Sequence, residues 1–232
     1  MKKVCFFLIS ILSGFICSAQ VLWGVQGGIN ISKLKIDHFD YYSGDIKQIS
    51  SAKLGLVAGI VAQVPINRRF DFRPEFNFVQ KGGKFSMDNK RDRTGSSSSD
   101  NDATFNYVQV ALNTVYKINA QSTLIFFGGG LDFNFGIGGK VKANYGDYIY
   151  SNPGPIYSPV EYSQKGSADV GLSLITGFKL KNGFFTSVNY TLGFVDINHF
   201  STTKFYGIIK PRGIAVKVGY MIPKKHYNKA VK

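Results

Sequence analysis

The chain has 232 residues, enough for one all-β domain of barrel size, and carries 28 Lys and Arg against 14 Asp and Glu, a formal charge of +14. Its positive residues are scattered, with no basic helix or arginine-rich stripe, which argues against nucleic acid as a partner. Both cysteines, Cys5 and Cys17, fall near the start, so a chain cleaved beyond them has no disulfide, thiolate nucleophile or thiolate metal ligand.

Met1-Lys2-Lys3 is a positive n-region, residues 4–16 are apolar, and Cys17-Ser18-Ala19 ends in small residues. This pattern predicts a secretory signal peptide over residues 1–19, with cleavage after Ala19. The apolar run is too short for a membrane-spanning helix. Lipidation at Cys17 would need a small residue before it, and Ile16 is bulky.

Beyond the leader, alternation with a period of two predicts strands at 22–31, 53–64, 70–79, 104–118, 122–135, 167–180, 184–195 and 213–222. Gly24, Gly27 and Gly28 thin the first strand where neighbouring chain crowds it. The second sets Leu54, Leu56, Ala58 and Ile60 against Lys53, Gly55, Val57 and Gly59.

The third strand, FDFRPEFNFV, is the most diagnostic. Phe70, Phe72, Phe76 and Phe78 share one parity, and Asp71, Arg73, Glu75 and Asn77 share the other. No helix gathers four phenylalanines at that spacing, whereas a strand places them on one face. A slip of one residue would turn the charges toward lipid, where an Arg at midplane costs about 2–4 kcal/mol.

The fifth strand holds Gly128-Gly129-Gly130, which lacks the spacing of a phosphate-binding loop and leads into no helix. Lys181-Asn182-Gly183 predicts a hairpin turn with positive φ. Long polar connections at 32–52, 80–103, 138–166 and 196–212 alternate with short turns at 65–69, 119–121 and 181–183. The run KRDRTGSSSSDND at 90–102 has no apolar anchor and is expected to be a mobile loop. A basic tail over 223–232 follows the barrel expected over 20–222.

Eight strands with alternating short and long connections predict an eight-stranded antiparallel transmembrane β-barrel, an up-and-down meander in a bacterial outer membrane. Ten residues tilted near 40° cover about 25 Å, the height of an outer-membrane apolar band. A soluble lipocalin-like ligand-binding barrel shares the strand count but needs the opposite polarity, with the aromatic rings inside.

Four stretches carry a family resemblance: GVQGGINIS at 24–32, FRPEFNFVQKGGKF at 72–85, YVQVALNTVY at 107–116 and FGGGLDFNFG at 127–136. With a leader ending in SAQ, the chain resembles the PorT-like outer-membrane β-barrel proteins of Bacteroidetes. The resemblance implies location and fold but no shared catalytic residues. Some relatives resemble components of a secretion apparatus.

Two constellations are candidate sites. Asp71, Arg73, Glu75, Lys179 and Lys217 are expected to share the barrel interior, where buried charges need partners. Tyr145, Tyr148, Tyr150, Tyr157 and Tyr162, in the longest loop, are a candidate recognition surface for a protein or glycan. His38 beside Asp37 and Asp40 fits no strong metal motif, and a histidine near a serine in a polar loop, as at His199 and Ser201, usually arises by chance. No cofactor is expected, and the chain reads as non-enzymatic. The leading expectation is a structural or surface-binding role through external loops, in contact with outer-membrane lipid. Small-solute transport or a secretion-accessory role is the alternative.

Overall fold

The computed structural model describes residues 21–37, 46–91, 95–120, 122–147, 160–164, 168–195 and 208–223. The expected signal peptide and nearly all of the basic tail lie outside these residues. Among the described residues nine strands form in order: β1 (Leu22–Asp37), β2 (Ile46–Pro65), β3 (Phe70–Arg91), β4 (Gly95–Ala120), β5 (Thr123–Asp147), β6 (Val160–Gln164), β7 (Ala168–Leu180), β8 (Phe184–Gly193) and β9 (Ile208–Met221).

The strands pair in the order β4-β3-β2-β1-β9-β8-β7-β5-β6, and β4 also pairs with β5. Every pairing is antiparallel. Eight strands therefore close on themselves as an up-and-down barrel, and β1 meets β9 at the seam. The short β6 stands outside the ring and, among the described residues, pairs with residues 139–143 of β5 alone. Closure is what lipid demands, because an open edge would leave backbone groups unpaired in hydrocarbon.

The barrel is polar inside and apolar outside. Trp23, Leu54, Phe76, Phe127 and Val218 are exposed on its wall, while Asp71, Arg73, Glu75 and Asn77 are buried in the lumen. A lipocalin-like barrel would show the reverse, so that alternative is excluded. Aromatic rings gather at the turn end. Tyr116 lies 5.3 Å from Phe70 and 5.4 Å from Phe127 by ring centroid, and Phe184 lies 5.1 Å from Tyr220. Such a belt marks a membrane interface.

The turns follow their local chemistry. Gly183 has φ of +96° between β7 and β8, as the Asn-Gly pair predicts. Asn67 caps the β2–β3 turn, its Oδ1 accepting from the backbone N–H groups of Arg69 and Phe70 at 2.8 Å each. Gly128 to Gly130 lie within β5, and a Cβ on Gly130 would stand 1.9 Å from the Leu112 carbonyl oxygen. These glycines permit close strand approach and form no anion cradle.

The strands are longer than alternation predicts. Residues 80–91 and 95–103, expected as loop, pair in register from Gln80 with Asn106 to Arg91 with Gly95. The KRDRTGSSSSDND run is thus largely a hairpin, with residues 92–94 outside the described set. Antiparallel pairing satisfies the backbone whatever the side chains are. Above the membrane both faces meet water, so no apolar alternation betrays the strand. The same reason hid the upper parts of β1, β2 and β5, and the start of β9.

Candidate functional site

Inward-facing side chains stack in layers from the turn end to the loop end. At the turn end Asp71 pairs with Lys117 at 2.5 Å and accepts from Gln63. Lys179 donates to the Gln63 Oε1 at 2.8 Å, so Gln63 links Asp71 to Lys179.

Beside this group lie two apolar clusters, Val61 with Phe185 and Met221, and Val115 with Phe126 and Ile175. The Arg73 guanidinium sits between them, 4.8 Å from the Phe126 ring centroid and 4.6 Å from that of Phe185. A planar, weakly hydrated cation suits two aromatic faces better than an ammonium would.

Glu75 forms the next layer. Its carboxylate accepts from Arg73 Nε at 3.3 Å, from Gln26 Nε2 at 2.9 Å and from Lys217 Nζ. From there amides carry the network across the lumen. Asn77 donates to Gln109 at 3.2 Å, and Gln109 donates to Asp132 and Asn134 at 3.2 Å each. Thr191 donates to Asp132 at 2.9 Å. Lys81 lies 3.7 Å from Asp169 and 5.4 Å from the centre of the Tyr107 ring.

Together these groups fill the cross-section. Asn77, Asn113, Ser173 and Ser187 show no exposed surface, although they face inward from four different strands. A water-wide passage at that level would leave some of them wet. Above it a cavity of about 20 Å³ open to water centres touches Lys81, Asp132, Thr191 and Lys217, room for a water or two.

All five predicted interior charges do face the lumen, but in two groups: Glu75 with Arg73 and Lys217, and Asp71 with Lys179 through Gln63. Lys81, Lys117, Asp169 and the Phe126–Phe185 clamp were missing from the prediction. Lys81 keeps the parity of Asp71 along β3, and Asp169 keeps that of Ser173 along β7, so alternation alone would have found both.

The tyrosine surface is placed only in part. Tyr145 stands opposite Ser99 in β5, and Tyr162 stands opposite Val141 in β6. Both therefore belong to a three-stranded extension of β4, β5 and β6 beyond the barrel. Tyr148, Tyr150 and Tyr157 lie outside the described residues, as do Asp40 and the three histidines. Among the described residues no cluster of three metal-ligating side chains occurs.

Residues 18–198 match the family model described as the outer membrane protein beta-barrel domain. No curated protein sequence matches the chain. Among solved structures, the attachment invasion locus protein Ail of Yersinia pestis, in complex with the heparin analogue sucrose octasulfate, is similar at 14% identity. That alignment covers 87% of this chain and 99% of Ail, with a TM-score of 0.39. Neisserial surface protein A is 12% identical over 86% of this chain and 97% of its own, with a TM-score of 0.39. The outer membrane protein OprG of Pseudomonas aeruginosa is 14% identical over 88% and 96%, again with a TM-score of 0.39. Scores this low say nothing about activity. The family match spans most of the sequence: the chain belongs to the outer membrane protein β-barrel domain family, and its place is the bacterial outer membrane.

Proposed function

We propose that this barrel is a non-enzymatic scaffold whose role, structural or surface-binding, is carried by its loop end. The observation that supports this is the filled lumen. Arg73 is wedged between Phe126 and Phe185, and Glu75 is tied to Lys217 above it. A lumen of eight strands is just wide enough for such filling. The interior carboxylates Glu75, Asp132 and Asp169 are each engaged by cations, amides or hydroxyls, which favours a structural over a catalytic use of them. Recognition is then left to the β4–β5–β6 extension, which carries Tyr145 and Tyr162, with a protein or glycan as partner.

Trimming residues 140–162 tests the reading. Crosslinking on whole cells should capture a partner with the intact chain and lose it with the trimmed one, while heat-modifiable migration shows that both barrels assemble. Equal capture by the trimmed chain would rule that extension out. The stretches at 24–32, 72–85, 107–116 and 127–136 further support a place among PorT-like barrels of Bacteroidetes. A secretion-accessory role goes with that branch, and normal secretion in a deletion strain would remove it.

A further inference from the structure

The outer wall of the β1–β9 seam changes character over a single residue pair. Toward the turn end its outward pairs are apolar, Ile29 with Val216 and Ile31 with Ile214. The next outward pair is Lys33 with Arg212, and beyond it Lys35 stands opposite Lys210. Ser32, Leu34 and Pro211 between them are buried inward, so Lys33 and Arg212 project from the wall, both exposed.

Like charges directly opposite one another on a sheet repel. Among the described residues no carboxylate pairs with Lys33, Lys210 or Arg212. On the β2–β4 side, by contrast, Lys53 is neutralised by Asp102. An uncompensated cation pair on a rigid wall calls for an anion from outside the chain.

Position says which anion. Trp23, exposed on the outer wall at the turn end, is ten positions before Lys33 along β1, a height of about 25 Å for tilted strands. The cations therefore sit where hydrocarbon ends on the loop side, which in bacterial barrels is the outer face. A guanidinium fork binds phosphate oxygens in pairs, and an ammonium beside it adds a point charge.

We propose that Lys33 and Arg212, with Lys210 beyond them, bind the phosphorylated headgroup of an outer-leaflet lipid whose acyl chains lie along Ile29, Ile31, Ile214 and Val218. The seam is then a lipid-anchoring site that fixes the barrel's depth and rotation, separate from the partner-binding extension.

Native mass spectrometry of the protein, extracted in detergent from outer membranes, tests this with diphosphoryl lipid A as probe. The intact protein should retain the probe and bind dephosphorylated lipid A at least about tenfold more weakly. K33S/R212S should bind about 25-fold more weakly, the product of about fivefold for each cation lost near an anionic surface. R68S/R69S, which removes two charges at the opposite end, should bind normally, as should K33R/R212K. Single variants K33Q and R212Q, each about fivefold weaker, keep the test independent of the double variant's folding. Unchanged retention by K33S/R212S would overturn the proposal, as would equal binding of the dephosphorylated lipid. Sodium phosphate binding as tightly as the lipid would also overturn it, since the site would then take a free ion.

Discussion

Glu75 on β3 and Lys217 on β9 form an ion pair across the lumen, although β2 and β1 separate their strands in the sheet. The two residues lie 142 positions apart in the chain. Both are buried, and Glu75 holds Arg73 as well, so one carboxylate compensates two cations from different strands. Their contact ties the wall together through the interior rather than around the circumference.

That arrangement makes the carboxylate the more damaging partner to lose. E75Q leaves the buried Arg73 and Lys217 without their shared counter-charge and should destabilise the barrel by about 3–5 kcal/mol. K217M, which leaves Glu75 with Arg73, should be milder, and E75Q/K217M should fall short of the summed single effects. Urea unfolding in micelles, followed by the fluorescence of Trp23, the sole tryptophan, measures all three.

The layered filling of the lumen predicts electrical silence. The wild-type barrel should pass no current in planar bilayers, and neither should R73A/F126A/F185A, because the Glu75–Lys217 pair and the fully buried Asn77 and Ser187 still close the lumen. A measurable ion current from the triple variant would mean that the Arg73 layer alone blocks the passage.

Equal exposure does not mean equal tolerance on the outer wall. Phe76 is 53% exposed mid-strand and Ile66 is 58% exposed in the β2–β3 turn. F76R should cost about 2–4 kcal/mol and I66R about 0–1 kcal/mol, because only the former buries a charge in hydrocarbon. Folding equilibria in lipid vesicles separate the two.

Pairing of β3 with β4 beyond the membrane predicts slow amide exchange. Residues 80–91 and 95–103 should be protected well above the level of an unstructured polar loop, as read by hydrogen–deuterium exchange. Exchange at free-peptide rates would return that stretch to a loop.

The architecture was legible because hydrocarbon imposes a strict rule on each strand. In FDFRPEFNFV a phenylalanine at every outward position but Pro74, with a charge or amide at each inward one through Asn77, announces both strand and face before any partner is known. The same rule explains the failures. Where β3 and β4 rise into water the rule lapses, and the hairpin at 80–103 read as loop. Gly128 to Gly130 were correctly read as a strand device, because their neighbours kept the period.

Residue pattern alone was enough to specify the closed eight-stranded barrel, its membrane setting and the inward face of Asp71, Arg73, Glu75, Lys179 and Lys217. Period-two alternation is local and needs no knowledge of distant strands. It took the assembled barrel to reveal that Glu75 answers Lys217, that Phe126 and Phe185 enclose Arg73, and that Lys33 meets Arg212 at the seam. Those meetings depend on barrel curvature and on the register in which the last strand returns to the first, and neither is written in any single strand.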